Sequence, residues 1–273
     1  MENIYNTVII GGGAAGLSAA MVLARANRKV LIIDAGKQSN RVTKEAHAVF
    51  TRDRTAPAEL YAIARQQVLA YPTVSIQDGV VKSIAKTTHF EILLENDEKI
   101  FAKAIILAQG VNYTLPNVPG LQELFGTKAW HCPFCEGFEA NNKKIFGIVE
   151  AKRLDHVKGV LANWTTDSVW ATPNQVEALV DIEHGVEVRM KDGSVFTVDQ
   201  VLAEADLKPR DELADLLGCK RAEDTHLVID SNGKTSVDGV YAAGDQSSSS
   251  GQVNFAVSAG HTAGMGVVTG VSI

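Results

Sequence analysis

Two cysteines three positions apart lie in His131-Cys132-Pro133-Phe134-Cys135-Glu136. Thiols at that spacing close a disulfide when the second stands at the start of a helix, whose N-terminus favours the thiolate. A thiolate attacking an external disulfide gives a mixed disulfide, which the other cysteine resolves. Glu136 supplies a carboxylate beside the thiols, a general acid or base if burial raises its pKa, and His131 is a second proton carrier. Structural zinc needs four ligands, and no second C-x-x-C or H-x₃₋₅-H accompanies the pair. Redox chemistry without a metal is the leading reading, and an inert crosslink is the alternative. Cys219, between Leu217 and Lys220-Arg221, reads as a buried, unreactive side chain.

The N-terminal part carries a different signal. Gly11-x-Gly13-x-x-Gly16 follows an apolar, β-branched stretch over 4–10 and opens an Ala/Leu/Met-rich helical segment over 14–26. A second apolar stretch over 30–33 ends in Asp34. Strand, glycine turn, helix and strand within about thirty residues is the context that a dinucleotide fingerprint demands. The first glycine makes the turn, and the second lets backbone N–H groups approach a pyrophosphate. The third packs helix on strand and aims the positive helix end at the phosphates. Asp34 accepts from ribose hydroxyls and rejects a 2′-phosphate by charge. The loop predicts FAD or NAD rather than NADP, with a ligand-free glycine turn as the alternative.

Other elements must hold these two features. Pro57 opens a helix running to about residue 70. Segments 74–84, 90–95 and 99–104 alternate like antiparallel strands, with a turn at Asn96-Asp97, and 104–108 is a short buried parallel strand. Residues 112–120, holding Pro116, Pro119 and Gly120, read as a linker. Beyond it come a strand over 145–149, a helix over 154–164, a strand over 168–172 and a hairpin over 186–198 turning at Asp192-Gly193. The chain closes with an apolar strand into Ala242-Ala243-Gly244-Asp245 and a helix over 253–268.

These pieces together resemble the low-molecular-weight thioredoxin reductase branch of the FAD-dependent disulfide oxidoreductases. The matching motifs are Gly11 to Gly16 with Ala14, Ala108-Gln109-Gly110, Pro116 to Gly120, Cys132 to Gly137, and Gly239 to Asp245. The resemblance implies FAD as cofactor, with Asp245 bonding its ribityl chain and Gln252, Val253 and Asn254 near the isoalloxazine. It implies that the backbone of Val81 contacts the adenine, that Cys135 faces the flavin and that Cys132 meets the external substrate. Gln109 stands where the family usually has Thr, and Glu136 where thioredoxin reductases have Asp. The stretch Asn40-Arg41 to Asp53, with His47, resembles the flavin-adjacent loop of the family's small-molecule dithiol oxidases, where a histidine relays protons. Read from the residues alone, His47 is a lone loop histidine.

One expected feature is missing. A member using NADPH carries a second glycine fingerprint after the strand that follows the cysteine pair. Here 145–149 leads into Glu150-Ala151-Lys152-Arg153-Leu154, and 169–173 lacks an arginine cluster for a 2′-phosphate. Side chains occupy positions where pyrophosphate must touch backbone, and Glu150 adds a like charge. Electrons then travel from dithiols to oxygen, or from ferredoxin. A divergent but working nucleotide site and a flavin-holding relic are the other readings, and the intact cysteine pair speaks against the relic.

The sequence therefore reads as an α/β, two-domain Rossmann-like flavoprotein of three-layer ββα type. Residues 1–117 and 207–273 form the FAD domain, and 118–206 form a reduced NAD(P)-domain-like segment carrying the cysteines. The 273 residues have 45% hydrophobic and 21% charged side chains, enough for a sizeable core and against disorder. A net charge of −6 without a basic run argues against nucleic acid or anionic membrane. No apolar run approaches the ~18 residues of a span, and Met1-Glu2-Asn3 has no basic leader region, so a cytoplasmic address is expected. Expected partners are a small-molecule dithiol or thioredoxin-like protein, with ferredoxin or oxygen at the other end. A homodimer is implied by the resemblance.

Overall fold

The computed structural model describes residues 4–210, 212–223 and 225–272, so Met1-Glu2-Asn3 lies outside the described residues. The chain forms two compact units. One is built from the chain up to Ser39, Ala58–Asn112 and the chain from Pro209 on; the other joins Asn40–Pro57 to Tyr113–Lys208.

In the first unit, parallel strands Val74–Asp78, Val30–Asp34, Ile4–Ile10 and Lys99–Leu107 lie side by side, with Val240–Ala242 beyond them. Their β-branched side chains suit a sheet buried on both faces. Along Ile4–Ile10, Val8 and Ile10 enter one core and Ile9 the opposite one, the period of two that a strand imposes. The Ile9 side packs against helices Ala14–Arg25 and Val253–Gly270 through Ala19, Ala20, Leu23, Ala263 and Val267. On the other side lies an antiparallel meander of Val81–Lys86, Phe90–Leu94 and the start of Lys99–Leu107, which supplies Ile84, Phe90, Ile92 and Ile100. Meander, sheet and helices make three layers.

Two strand readings are corrected. Residues 74–84 are two strands, and the first runs parallel to Val30–Asp34 rather than antiparallel. Segments 99–104 and 104–108 are one strand, Lys99–Leu107. It begins in the meander and ends in the parallel sheet. Ile100 and Ala102 face the shared core early on, whereas Ile105 and Leu107 face it later and Ala104 and Ile106 turn to the helices. The inward face must swap when a strand passes from one side of a core to the other, which breaks the simple alternation.

The second unit has a parallel sheet ordered Ser168–Ala171, Ile145–Ile148, Gln200–Ala203, Ala129–Trp130. Helix Leu154–Leu161 covers it with Val157 and Leu161, stopping three residues short of the expected end. The hairpin of Gly185–Met190 and Val195–Val198 turns at Gly193, whose φ of +88° suits glycine. A third antiparallel strand, Val176–Ile182, has no counterpart in the sequence reading. A bulge between Val176 and Ala178 puts its buried Val176 and Leu179 three apart, which hides the period of two.

Candidate active site

The glycine turn of the first unit is tight where it must be and open where a ligand must come. Gly11 has φ +108°, and a Cβ there would strike the Ala108 carbonyl. A Cβ on Gly16 would strike the carbonyl oxygen of Gly11, so only glycine lets this helix approach the strand. A Cβ on Gly13 would meet no atom within 4 Å. That open space before the first helical residue, Ala14, is where backbone must lie bare to a pyrophosphate.

Asp34, 5% exposed at the end of its strand, is held on both oxygens. Oδ1 accepts from the Gly36 N–H (3.1 Å), and Oδ2 accepts from Gln38 (3.2 Å) and from Arg65 (2.8 Å). Arg65 also reaches Asp78. Val81 opens its strand opposite Leu94 and is buried. Ala108 donates its N–H to Ile10, and Gly110 has φ +68°. The buried Gln246 accepts from the Gln109 N–H (3.2 Å) and donates to the Arg210 carbonyl, tying that turn to the one holding Gly244 and Asp245.

Asp245 is largely buried, and burial pushes its carboxyl up, against the lowering effect of His226. Its carboxylate accepts no hydrogen bond among the described residues, so it is poised for outside hydroxyl donors. Gln252 caps the last helix and Val253 opens it. These residues fit FAD: bare backbone at Gly13, an acid held at the ribose end, and an unsatisfied acid for the ribityl chain. Bound there, FAD would supply the two-electron acceptor that no side chain offers.

The thiol site lies in the second unit. Cys132 and Cys135 form a disulfide with Cα atoms 5.3 Å apart. Cys132 caps the short helix Pro133–Glu136, and its carbonyl accepts from the N–H groups of Cys135 (3.0 Å) and Glu136 (3.1 Å). Proline at the first helical position presets this turn. A Cβ on Gly137 would run into Trp164. His131 packs among Tyr113 and Phe125, and burial lowers its pKa to about 4. It is therefore neutral near pH 7 and a weak base. Cys219 is buried in the first unit against Thr235, and burial raises its thiol pKa.

Arg41 is exposed on the segment Asn40–Pro57, which brings His47 to the thiol site. His47 Nδ1 lies 3.8 Å from Glu136 Oε1, and Nε2 lies 3.4 Å from Glu45 Oε2 and 3.5 Å from Glu139 Oε1. Burial raises the Glu136 carboxyl, the His47 charge opposes the rise, and Glu139 and Glu45 add to it. A carboxyl raised in this way can hold a proton for the neighbouring thiols. Sequence reasoning missed Glu45, Glu139, Arg65 and Gln246. The spacing of Glu136 and Glu139, three apart across a helical turn, was the available signal for one of them.

The sequence profile of the pyridine nucleotide-disulphide oxidoreductases matches residues 5–157 and 165–262. A curated relative, thioredoxin reductase tcpT of Claviceps purpurea, is 32% identical over 96% of this chain and 93% of its own. Among solved structures, a putative thioredoxin reductase TrxB from Bacillus anthracis superposes with a TM-score of 0.91 at 26% identity, covering 97% of each chain. A structure described as HlmI gives 0.92 at 26% identity, covering 98% of this chain and 92% of its own. A flavin cradle in one unit, a redox-ready cysteine pair in the other and this breadth of likeness agree: the chain belongs to the pyridine nucleotide-disulphide oxidoreductase family, as a thioredoxin reductase-like, FAD-binding oxidoreductase acting on disulfides.

Proposed function

We propose that this enzyme is a dithiol oxidase that works without NADPH. The observation that carries the reading is the turn after strand Ile145–Ile148. In the FAD unit, three residues, Gly11, Gly12 and Gly13, link strand to helix. Here the link is Val149, Glu150 and a 3₁₀ turn, Ala151–Arg153, before helix Leu154–Leu161. Arg153 donates to Glu204 at 2.7 Å, from the loop after the neighbouring strand Gln200–Ala203. Carboxylates of Glu150 and Glu204 thus stand at the carboxyl end of the sheet, where such folds bind pyrophosphate, and the arginine is already paired.

On this reading one thiolate of an external dithiol attacks Cys132 and releases Cys135 as a thiolate, and the dithiol's second thiolate then resolves the mixed disulfide and frees Cys132, so two electrons pass to the cysteine pair. Glu136 handles the thiol proton. The substrate is a small-molecule dithiol or a thioredoxin-like protein, oxygen is the final acceptor, and the enzyme acts as a cytoplasmic homodimer. The name of the curated relative favours a second reading, a thioredoxin reductase; its donor would be ferredoxin or NADPH.

Anaerobic mixing of FAD-loaded protein with NADPH, NADH or dithiothreitol tests the proposal by flavin absorbance. The dithiol should bleach the flavin and air should restore it with peroxide formed, while micromolar NADPH leaves it yellow. Loss of the backbone cradle and the added like charge should each weaken pyrophosphate binding ~10²-fold. Rapid bleaching by NADPH would make the protein a reductase, and bleaching by reduced ferredoxin alone would favour the ferredoxin-fed form.

A further inference from the structure

We infer that Arg65 is a positioning residue for FAD: it holds the Asp34 carboxylate so that a single acceptor site, on Oδ1, is left for the ribose of the adenosine half. The inference rests on FAD binding alone, and it stands whether oxygen, ferredoxin or NADPH serves the flavin.

Asp34 and Asp78 are register partners at the carboxyl ends of the neighbouring parallel strands Val30–Asp34 and Val74–Asp78. Adjacent strands lie about 4.8 Å apart, so the two acids crowd like charges at the edge where such folds receive a dinucleotide. Helix Pro57–Leu69 sets Arg65 against them. Its Nη1 donates to Asp34 Oδ2 at 2.8 Å, and its Nη2 donates to Asp78 Oδ1 at 3.2 Å. The planar guanidinium fixes the angle between the two bonds, which a flexible ammonium does not. The two bonds differ in weight. The Asp78 side chain is 87% exposed and free to turn to water. Asp34 is buried, and among the described residues Arg65 is the cation that meets its charge, so this pair is the one that matters.

The acceptor sites of Asp34 give the bond its purpose. An ionised carboxylate has about two lone-pair sites on each oxygen. Oδ2 accepts from Arg65 and from Gln38 at 3.2 Å, which occupies both of its sites. Oδ1 accepts from the Gly36 N–H at 3.1 Å, which leaves one site. The glycine turn closes on the same oxygen that Arg65 fills: a Cβ on Gly12 would stand 2.5 Å from Asp34 Oδ2. Arg65, Gln38 and Gly12 thus pin Oδ2, and the remaining lone pair of Oδ1 is the one offered to a ribose hydroxyl. Without Arg65 the carboxylate keeps only neutral donors and faces the Asp78 charge uncompensated. It then loses its aim, and the charge-assisted bond to the ribose depends on that aim.

The test uses the full chain stripped of FAD. FAD is titrated by flavin fluorescence, and ADP, the adenosine half alone, by competition against it. Arg65→Met keeps the apolar stem and removes the fork, and it should weaken FAD and ADP alike by about 10–100-fold. Arg65→Lys should fall between this variant and wild type. Asp78→Asn leaves Arg65 on Asp34 and should weaken ADP by about threefold at most. The double variant Asp34→Asn, Arg65→Met should bind ADP no more weakly than Asp34→Asn alone, because Arg65 acts through that acid. Wild-type affinity of Arg65→Met for both ligands would overturn the inference. So would losses that add in full in the double variant, since an arginine that only docks its helix acts independently of Asp34. A larger loss from Asp78→Asn than from Arg65→Met would place the ribose on Asp78 and overturn it too. Should Arg65→Met fail to fold, Arg65→Gln takes its place under the same criteria.

Discussion

His131 stands edge-on to Tyr113, with ring centroids 4.7 Å apart and planes at 66°. The burial that this packing brings holds its pKa at about 4, below the ordinary 6.5. The fold therefore binds the neutral ring, and the unfolded chain takes up a proton first. Stability is full above pH 6.5 and falls as pH drops towards 4, by up to about 3 kcal/mol at 1.36 kcal/mol per pKa unit. His131→Gln should flatten this acid limb, which urea unfolding at pH 4 and pH 7 would reveal. An equally steep limb in the variant would place the acid sensitivity elsewhere.

Gly13 and Gly16 should fail in different ways. Gly13→Val puts its side chain into open space, so the protein should fold and purify colourless. Gly16→Ala drives a methyl group into the Gly11 carbonyl and should destabilise the fold itself by a few kcal/mol. FAD content and melting temperature separate the two, and stoichiometric FAD in the Gly13 variant would count against the pyrophosphate assignment.

Asp245 should set stability against cofactor retention. Its raised pKa means that the ionised form opposes folding of the FAD-free protein, so stability present at low pH is lost as pH rises through that pKa. FAD-free Asp245→Asn should melt higher than wild type at pH 8, with the gap closing near pH 4. The same variant should hold FAD more weakly. A lower melting point at pH 8 would show that the carboxylate has a protein partner.

The two cysteines should be distinguishable by colour. Cys135→Ser should keep FAD and abolish reduction by dithiols. Cys132→Ser should leave a thiolate beside the flavin and show a long-wavelength charge-transfer band. The band in the opposite variant would reverse the roles.

Local spacing made much of this molecule legible. The glycine turn, the cysteine pair and the strand into Gly244-Asp245 each lie within a few residues, and the fold keeps them as read. The His47 cluster was not legible, because its members meet only when segment Asn40–Pro57 joins the second unit. Nothing near His47 announces a carboxylate partner at Glu136 or Glu139. Arg65 escaped for the same reason: its partner Asp34 lies a helix and a loop away. Strand Val176–Ile182 escaped because a bulge broke its period.

Strand Lys99–Leu107, shared by meander and parallel sheet, has a consequence for cooperativity. Its amides bond in the meander at one end and in the sheet at the other. Peeling the meander away would free Ile100 and Ala102 from the core that Ile105 and Leu107 share. The two layers should therefore open together, and amide exchange along this strand should proceed as one slow block. A cut at the Asn96-Asp97 turn would leave that block whole, since the strand remains tied at its far end to Ile4–Ile10.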